Sequence, residues 1–150
     1  MVFCPLAREE LRSLATGSTF GPRAAFAVTP SFRSTFGLSE ADEEDAERTA
    51  LYVAALAGLL SNGVRLVAVA EASATDERGE LGQVSVDELR FSRVTALFAD
   101  DPRNADRVAT TLLDLSGSEL PDAWDAPEHE RLLAETDLLW HGPEEWSNLT

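Results

Sequence analysis

Residues Ser39 to Ala72 constrain the fold more than any other stretch, because they read as a long buried helix running straight into a central strand. Ser39 and Asp42 have the spacing in which a hydroxyl caps a helix and a carboxylate reaches back. Glu40, Asp42, Glu43, Glu44 and Asp45 crowd the first turns, where the partial positive charge of a helix N-terminus favours anions. Ala46, Ala50, Val53, Ala57 and Leu60 then follow helical spacing on one face. Leu51, Tyr52, Leu56 and Leu59 fill much of the remainder, leaving a narrow stripe through Glu47, Ala54, Gly58 and Ser61. A helix apolar on nearly every side is covered on nearly every side, so it lies between a sheet and other helices or at a subunit contact. Asn62-Gly63 supplies a left-handed stop. Val64 to Ala70 follows with apolar residues at both parities, as in an interior strand covered on both faces.

The rest of the chain supplies elements to pack against this pair. A short strand at Val2–Cys4 is stopped by Pro5, and an amphipathic helix over Leu6–Ala15 follows. Ala24–Val28 forms a second strand. Thr29-Pro30 caps and opens a short helix that carries Phe32 and Phe36 inward. Ser73–Gly82 is expected to be a surface loop. Gln83–Asp87 alternates as a half-exposed antiparallel strand, and Arg93–Ala99 adds another. Asp101-Pro102 starts a helix whose apolar face runs through Ala105, Val108, Ala109, Leu112 and Leu115. The spacing of Asp125 and Glu128 predicts a helix over 126–135, and Leu138-Leu139-Trp140 an edge strand. This order predicts an α+β fold, a two-layer α/β sandwich with a mixed sheet, for which a ferredoxin-like variant is the nearest arrangement. At 150 residues the chain reads as a single α+β domain, with a main body over 1–118 and an acidic, tryptophan-containing section over 119–150.

Charge narrows the partners. The chain holds 27 acidic and 12 basic residues, a formal net charge of -15. Such a balance opposes binding to nucleic acid and to anionic membrane surfaces. No secretory leader and no apolar run of membrane-spanning length is evident, and Cys4 is the sole cysteine, so the cytoplasm is the expected compartment.

Motifs for chemistry are few. Cys4 stands at a strand end before a helix, but a C-x5-R thiolate loop needs arginine where Glu10 stands. It reads as a buried apolar residue. His129 and His141 lack any zinc spacing, and the carboxylates 40–45 radiate around a helix, so no metal and no cofactor are expected. Lysine is absent, which removes Schiff-base chemistry and a phosphate-loop lysine. No residue is assigned a catalytic role, and the balance leans away from an enzyme.

Several segments together resemble a family of small actinobacterial proteins of uncharacterised function. These are Val2-Phe3-Cys4-Pro5-Leu6, Ala25-Phe26-Ala27-Val28-Thr29-Pro30, the acidic alanine-rich helix, the apolar strand, Gln83-Val84-Ser85-Val86, Asp100-Asp101 and Leu138-Leu139-Trp140. The resemblance implies an aliphatic residue where Cys4 stands and implies no activity.

Two functional readings remain. One is a small cytoplasmic protein-binding or regulatory domain whose acidic face, bearing Trp124, Trp140 and Trp146, meets a basic protein partner or a second copy. The other is an enzyme or binder of an anionic small ligand, using Arg23, Thr29 and Arg33 in the net-basic first 38 residues. Burial preferences place Trp140 inside and Trp146, near the terminus, partly outside.

Overall fold

In the computed structural model, which describes residues 1–150 apart from the side chains of 76 and 77, the first strand lies at the middle of the sheet. β1 (Val2–Pro5) has β2 (Arg23–Phe26) on one side and β3 (Leu66–Ala70) on the other. Beyond β2 come β5 (Gln83–Val86) and β4 (Ala74–Arg78); beyond β3 come β6 (Val94–Asp100) and β7 (Leu138–His141). The resulting sheet of seven strands has the order β4-β5-β2-β1-β3-β6-β7 and curls into a half-barrel. Every neighbouring pair is antiparallel, so the sheet is not mixed.

Strand parity explains the layers. Val2 and Cys4 of β1, with Leu66, Ala68 and Ala70 of β3, face one side. There they meet Leu11 and Leu14 of helix α1 (Arg8–Ala15), with Trp146 and Leu149 of a C-terminal 3-10 segment (Pro143–Leu149) against them. Phe3, Val67 and Val69 face the other side, against helices α2 (Pro30–Phe36) and α3 (Glu43–Asn62). Helices therefore cover both faces, and the two-layer sandwich gives way to three layers. A ferredoxin-like order is also not what forms. One split β-α-β unit does form, since β2 and β3, joined through the next two helices, both run antiparallel to β1 between them, but the seven-strand order is not that of a four-stranded ferredoxin-like sheet.

α3 is the core helix that its composition requires. Val53, Ala54, Ala55, Leu56 and Leu59 are fully buried. One side packs on the sheet; the other, through Leu56 and Leu59, packs on α4 (Ala105–Leu115), α5 (Leu120–Asp125) and α6 (Pro127–Glu135). The small stripe is a close approach. A methyl added at Gly58 would stand 3.1 Å from Pro5 Cβ and from the Val64 carbonyl. Gly63 ends the helix with φ +73°, a conformation that costs a side-chain residue energy. At the other end the helix starts later than the Ser39 spacing suggests. Asp42 is the flanking residue, and its carboxylate accepts from the Ser39 N–H (2.8 Å) and hydroxyl (3.0 Å). The carboxylate reaches back as expected, but the serine is its donor and not the cap.

Thr29 caps α2 as its sequence implies, accepting from Phe32 N–H at 3.1 Å. Other elements also depart from the sequence reading. The stretch 73–82 contains β4, an exposed polar edge strand whose composition hides its pairing with β5. A short helix, α5, precedes α6, and Ala126 rather than Asp125 flanks α6 without a side-chain cap. α4 buries Val108, Thr111 and Leu115, while Ala105 and Ala109 are exposed.

Candidate functional site

Three consecutive residues leading into β7 are each held by a side chain from the body of the fold. Arg65 donates to Thr136 Oγ1 at 2.9 Å, Arg48 pairs with Asp137 at 3.5 Å, and the Tyr52 hydroxyl accepts from Leu138 N–H at 3.1 Å. Arg48 and Tyr52 are one turn apart on α3, and the Arg48 guanidinium lies 5.3 Å over the Tyr52 ring. This clamp fixes where β7 begins, and its ladder to β6 runs from Leu138↔Asp100 to His141↔Leu97.

β7 is the last strand of the sheet, so its outer edge has no strand neighbour among the described residues. Leu138 is buried, but Leu139 is 40% and Trp140 62% exposed. Alternation sets these two side chains on opposite faces of the strand. Asp137, Glu144 and Glu145 flank it. The result is an open strand edge with apolar side chains and an acidic rim, a combination that sheet proteins ordinarily blunt with charge or cover.

Behind the clamp lies a buried polar cluster. Arg65, in the first residues of an otherwise apolar strand segment, is 1% exposed. Its Nε donates to Asp100 Oδ2 at 2.9 Å and its Nη2 to Asp100 Oδ1, giving a bidentate pair; Nη1 is buried without a partner. His129 of α6 is equally buried. Its Nδ1 lies 3.2 Å from the Trp124 carbonyl, which only accepts, so Nδ1 carries the proton of the neutral ring. Burial holds this imidazole below its ordinary pKa; the Trp124 carbonyl pulls the other way, and the Arg65 charge adds to the lowering.

A pH dependence follows. The unfolded chain protonates this imidazole near pH 6.5, where the folded protein still keeps it neutral. Stability is therefore fully present above about pH 6.5 and falls as the pH drops through that value towards the lowered folded pKa. Urea midpoints measured between pH 7.5 and 5 should decline, and His129→Gln should flatten that decline. Glu10, held below the carboxylate range chiefly by its hydrogen bonds from Arg23, acts only at lower pH. Identical slopes for parent and variant would assign the effect elsewhere.

The residues singled out by sequence do not converge. Arg23 is bound to Glu10 at 2.5 and 2.9 Å and to the Pro5 carbonyl at 2.9 Å, on the α1 side of the sheet. Arg33 pairs with Glu43 at 2.5 Å and with the Ser39 carbonyl at 2.6 Å, on the α3 side. Thr29 is a buried cap. The tryptophans also separate. Trp124 packs against Phe36 and His129, with ring centroids 5.6 and 5.0 Å away. Trp146 packs on the α1 side, and only Trp140 stands out from the surface. Trp146 is half-buried, in keeping with its expected partial exposure, but Trp140, expected inside, is 62% exposed: the clamp makes β7 the end of the sheet, and among the described residues nothing lies beyond Trp140 to cover it. Cys4 is fully buried, and burial pushes its thiol up to about 12 against a smaller lowering by Arg23. It is neither ionised nor accessible near neutral pH.

Among the described residues no group of three or more His, Cys, Asp or Glu side chains is placed to hold a metal ion. No helix among the described residues is long and apolar enough to cross a membrane. The surface cavities include a cleft of about 650 Å³ lined by 71–73 and 87–93 and a groove of about 370 Å³ between α4 and α6. No curated protein and no solved structure matches the chain. A family model does, over residues 1–150, and the chain belongs to that family of unknown function, DUF6912.

Proposed function

We propose that this protein is a cytoplasmic protein-binding domain that receives an extended, basic segment of a partner along the outer edge of β7. The observation that carries this reading is the exposed Leu139-Trp140 pair on a clamped terminal strand. Strand addition uses the free backbone groups of an edge for affinity and alternate side-chain contacts for specificity. Trp140 offers a large apolar surface of the kind that dominates interface energetics. Charge favours a basic occupant, since residues 119–150 hold nine carboxylates and one arginine. A second copy of so acidic a chain would bring like charges together at the same edge. The anionic-ligand reading has less support, because Arg23 and Arg33 are already neutralised by Glu10 and Glu43.

The test is a titration with a ten-residue peptide of alternating Lys and Val, compared with its Glu-Val counterpart. The basic peptide should blue-shift tryptophan emission and perturb the amides of 138–141. Trp140→Ala should weaken binding by about thirtyfold, the cost of losing one hot spot of about 2 kcal/mol. Equal binding of both peptides, or binding indifferent to Trp140→Ala, would overturn the proposal.

A further inference from the structure

We infer that the cleft between residues 71–73 and 87–93 binds a small dibasic amino acid, a molecule with one carboxylate and two cationic nitrogens. The cleft measures about 650 Å³, within the size range of small-molecule sites. Its walls are the connection that follows β3 and the one that follows β5. Backbone bonds fasten them to each other and to the body. Asp87 N–H donates to the Ser73 carbonyl at 3.3 Å, and Glu71 N–H donates to the Arg93 carbonyl at 3.0 Å. Phe20 and Leu89 exchange a pair of backbone bonds, and the Leu89 side chain is fully buried beneath the loop. A wall held in this way loses little freedom on binding.

The charges in the cleft form an incomplete set. Arg90 is paired with Glu88. Glu71, Asp87 and Arg93 have no ion pair among the described residues. Two carboxylates and one guanidinium are thus left, beside the Ser73 hydroxyl. A dibasic amino acid carries the inverse pattern. Its carboxylate suits the bidentate fork of Arg93, and its two cations suit Glu71 and Asp87. An anion would meet two like charges, and a simple diamine would set a cation against Arg93. The lining is polar and open, so binding is weak and falls with added salt.

L-lysine is the probe, titrated into the full-length protein at low ionic strength with amide shifts as the readout, beside cadaverine and norleucine. Saturable shifts confined to 71–73 and 87–93, larger for L-lysine than for either analogue, are the expected result. Arg93→Gln should weaken L-lysine about fivefold, the scale of one exposed ion pair, and strengthen cadaverine, whose second cation it no longer opposes. Glu71→Gln should weaken both. Shifts scattered over the acidic surface, an equal response to cadaverine, or no saturable response would each overturn the inference.

Discussion

Asp100→Ala should destabilise the protein by about 3–5 kcal/mol, the cost of leaving a buried guanidinium without its counter-charge. Arg65 is 1% exposed and Asp100 15%, so the two ends of the pair are not equivalent. The carboxylate at the margin regains water when Arg65 is lost, whereas the arginine has no route to solvent. Arg65→Met is therefore expected to cost less than Asp100→Ala. The double change Arg65→Met with Asp100→Leu should recover most of the loss, because a buried ion pair replaced by apolar side chains of similar volume is often neutral or better. The unpartnered Nη1 strengthens this expectation, since a buried donor without an acceptor costs about 1–3 kcal/mol. Urea unfolding of the three variants decides the matter. Equal losses for both single variants, with no recovery in the double, would show that the pair acts otherwise. Arg65 also holds Thr136, so the same variants should loosen the start of β7 and weaken whatever binds its edge.

Val53→Asp and Leu56→Asp should each abolish the folded state. Both parent residues are 0% exposed, Val53 against the sheet and Leu56 against α4, α5 and α6. Each change removes about 1.5–3 kcal/mol of apolar burial. It also forces a carboxyl group into a site without a partner, at several kcal/mol more. The sum approaches the whole stability of an ordinary domain, about 5–15 kcal/mol. Circular dichroism at pH 7 is expected to show lost cooperativity in both variants. A cooperative transition at the parent temperature in either one would contradict the two-sided packing of α3. A loss at Leu56 alone would place the weight of the fold on the α4–α6 layer.

Element identities were legible from sequence where local chemistry dominates. Thr29-Pro30 and Asn62-Gly63 mark helix ends through backbone rules that need no tertiary partner, and both act in the structure as their residues dictate. The all-round apolar surface of 46–60 required cover on two sides, and the sheet and α4–α6 provide it. β7 was visible as Leu138-Leu139-Trp140, read as an edge strand, and it stands at one end of the sheet. The α+β class followed from the same periodicities.

Tertiary structure alone decided the sheet order, the second helical layer and the site. Strand neighbours depend on pairings between residues far apart in sequence, such as Val2 with Ala70, which periodicity does not encode. β4 lay hidden because an exposed edge strand has no buried parity to display. Trp140 looked like core by residue type, yet it is exposed because Arg48, Tyr52 and Arg65 fix β7 at the rim, where no further strand or helix among the described residues covers it. Arg65 sat in plain view as a charge inside an apolar strand, but its partner Asp100 is 35 positions away. A charge can be seen in a sequence; whether it is buried and paired depends on which strands meet, and that is settled only when the whole chain packs.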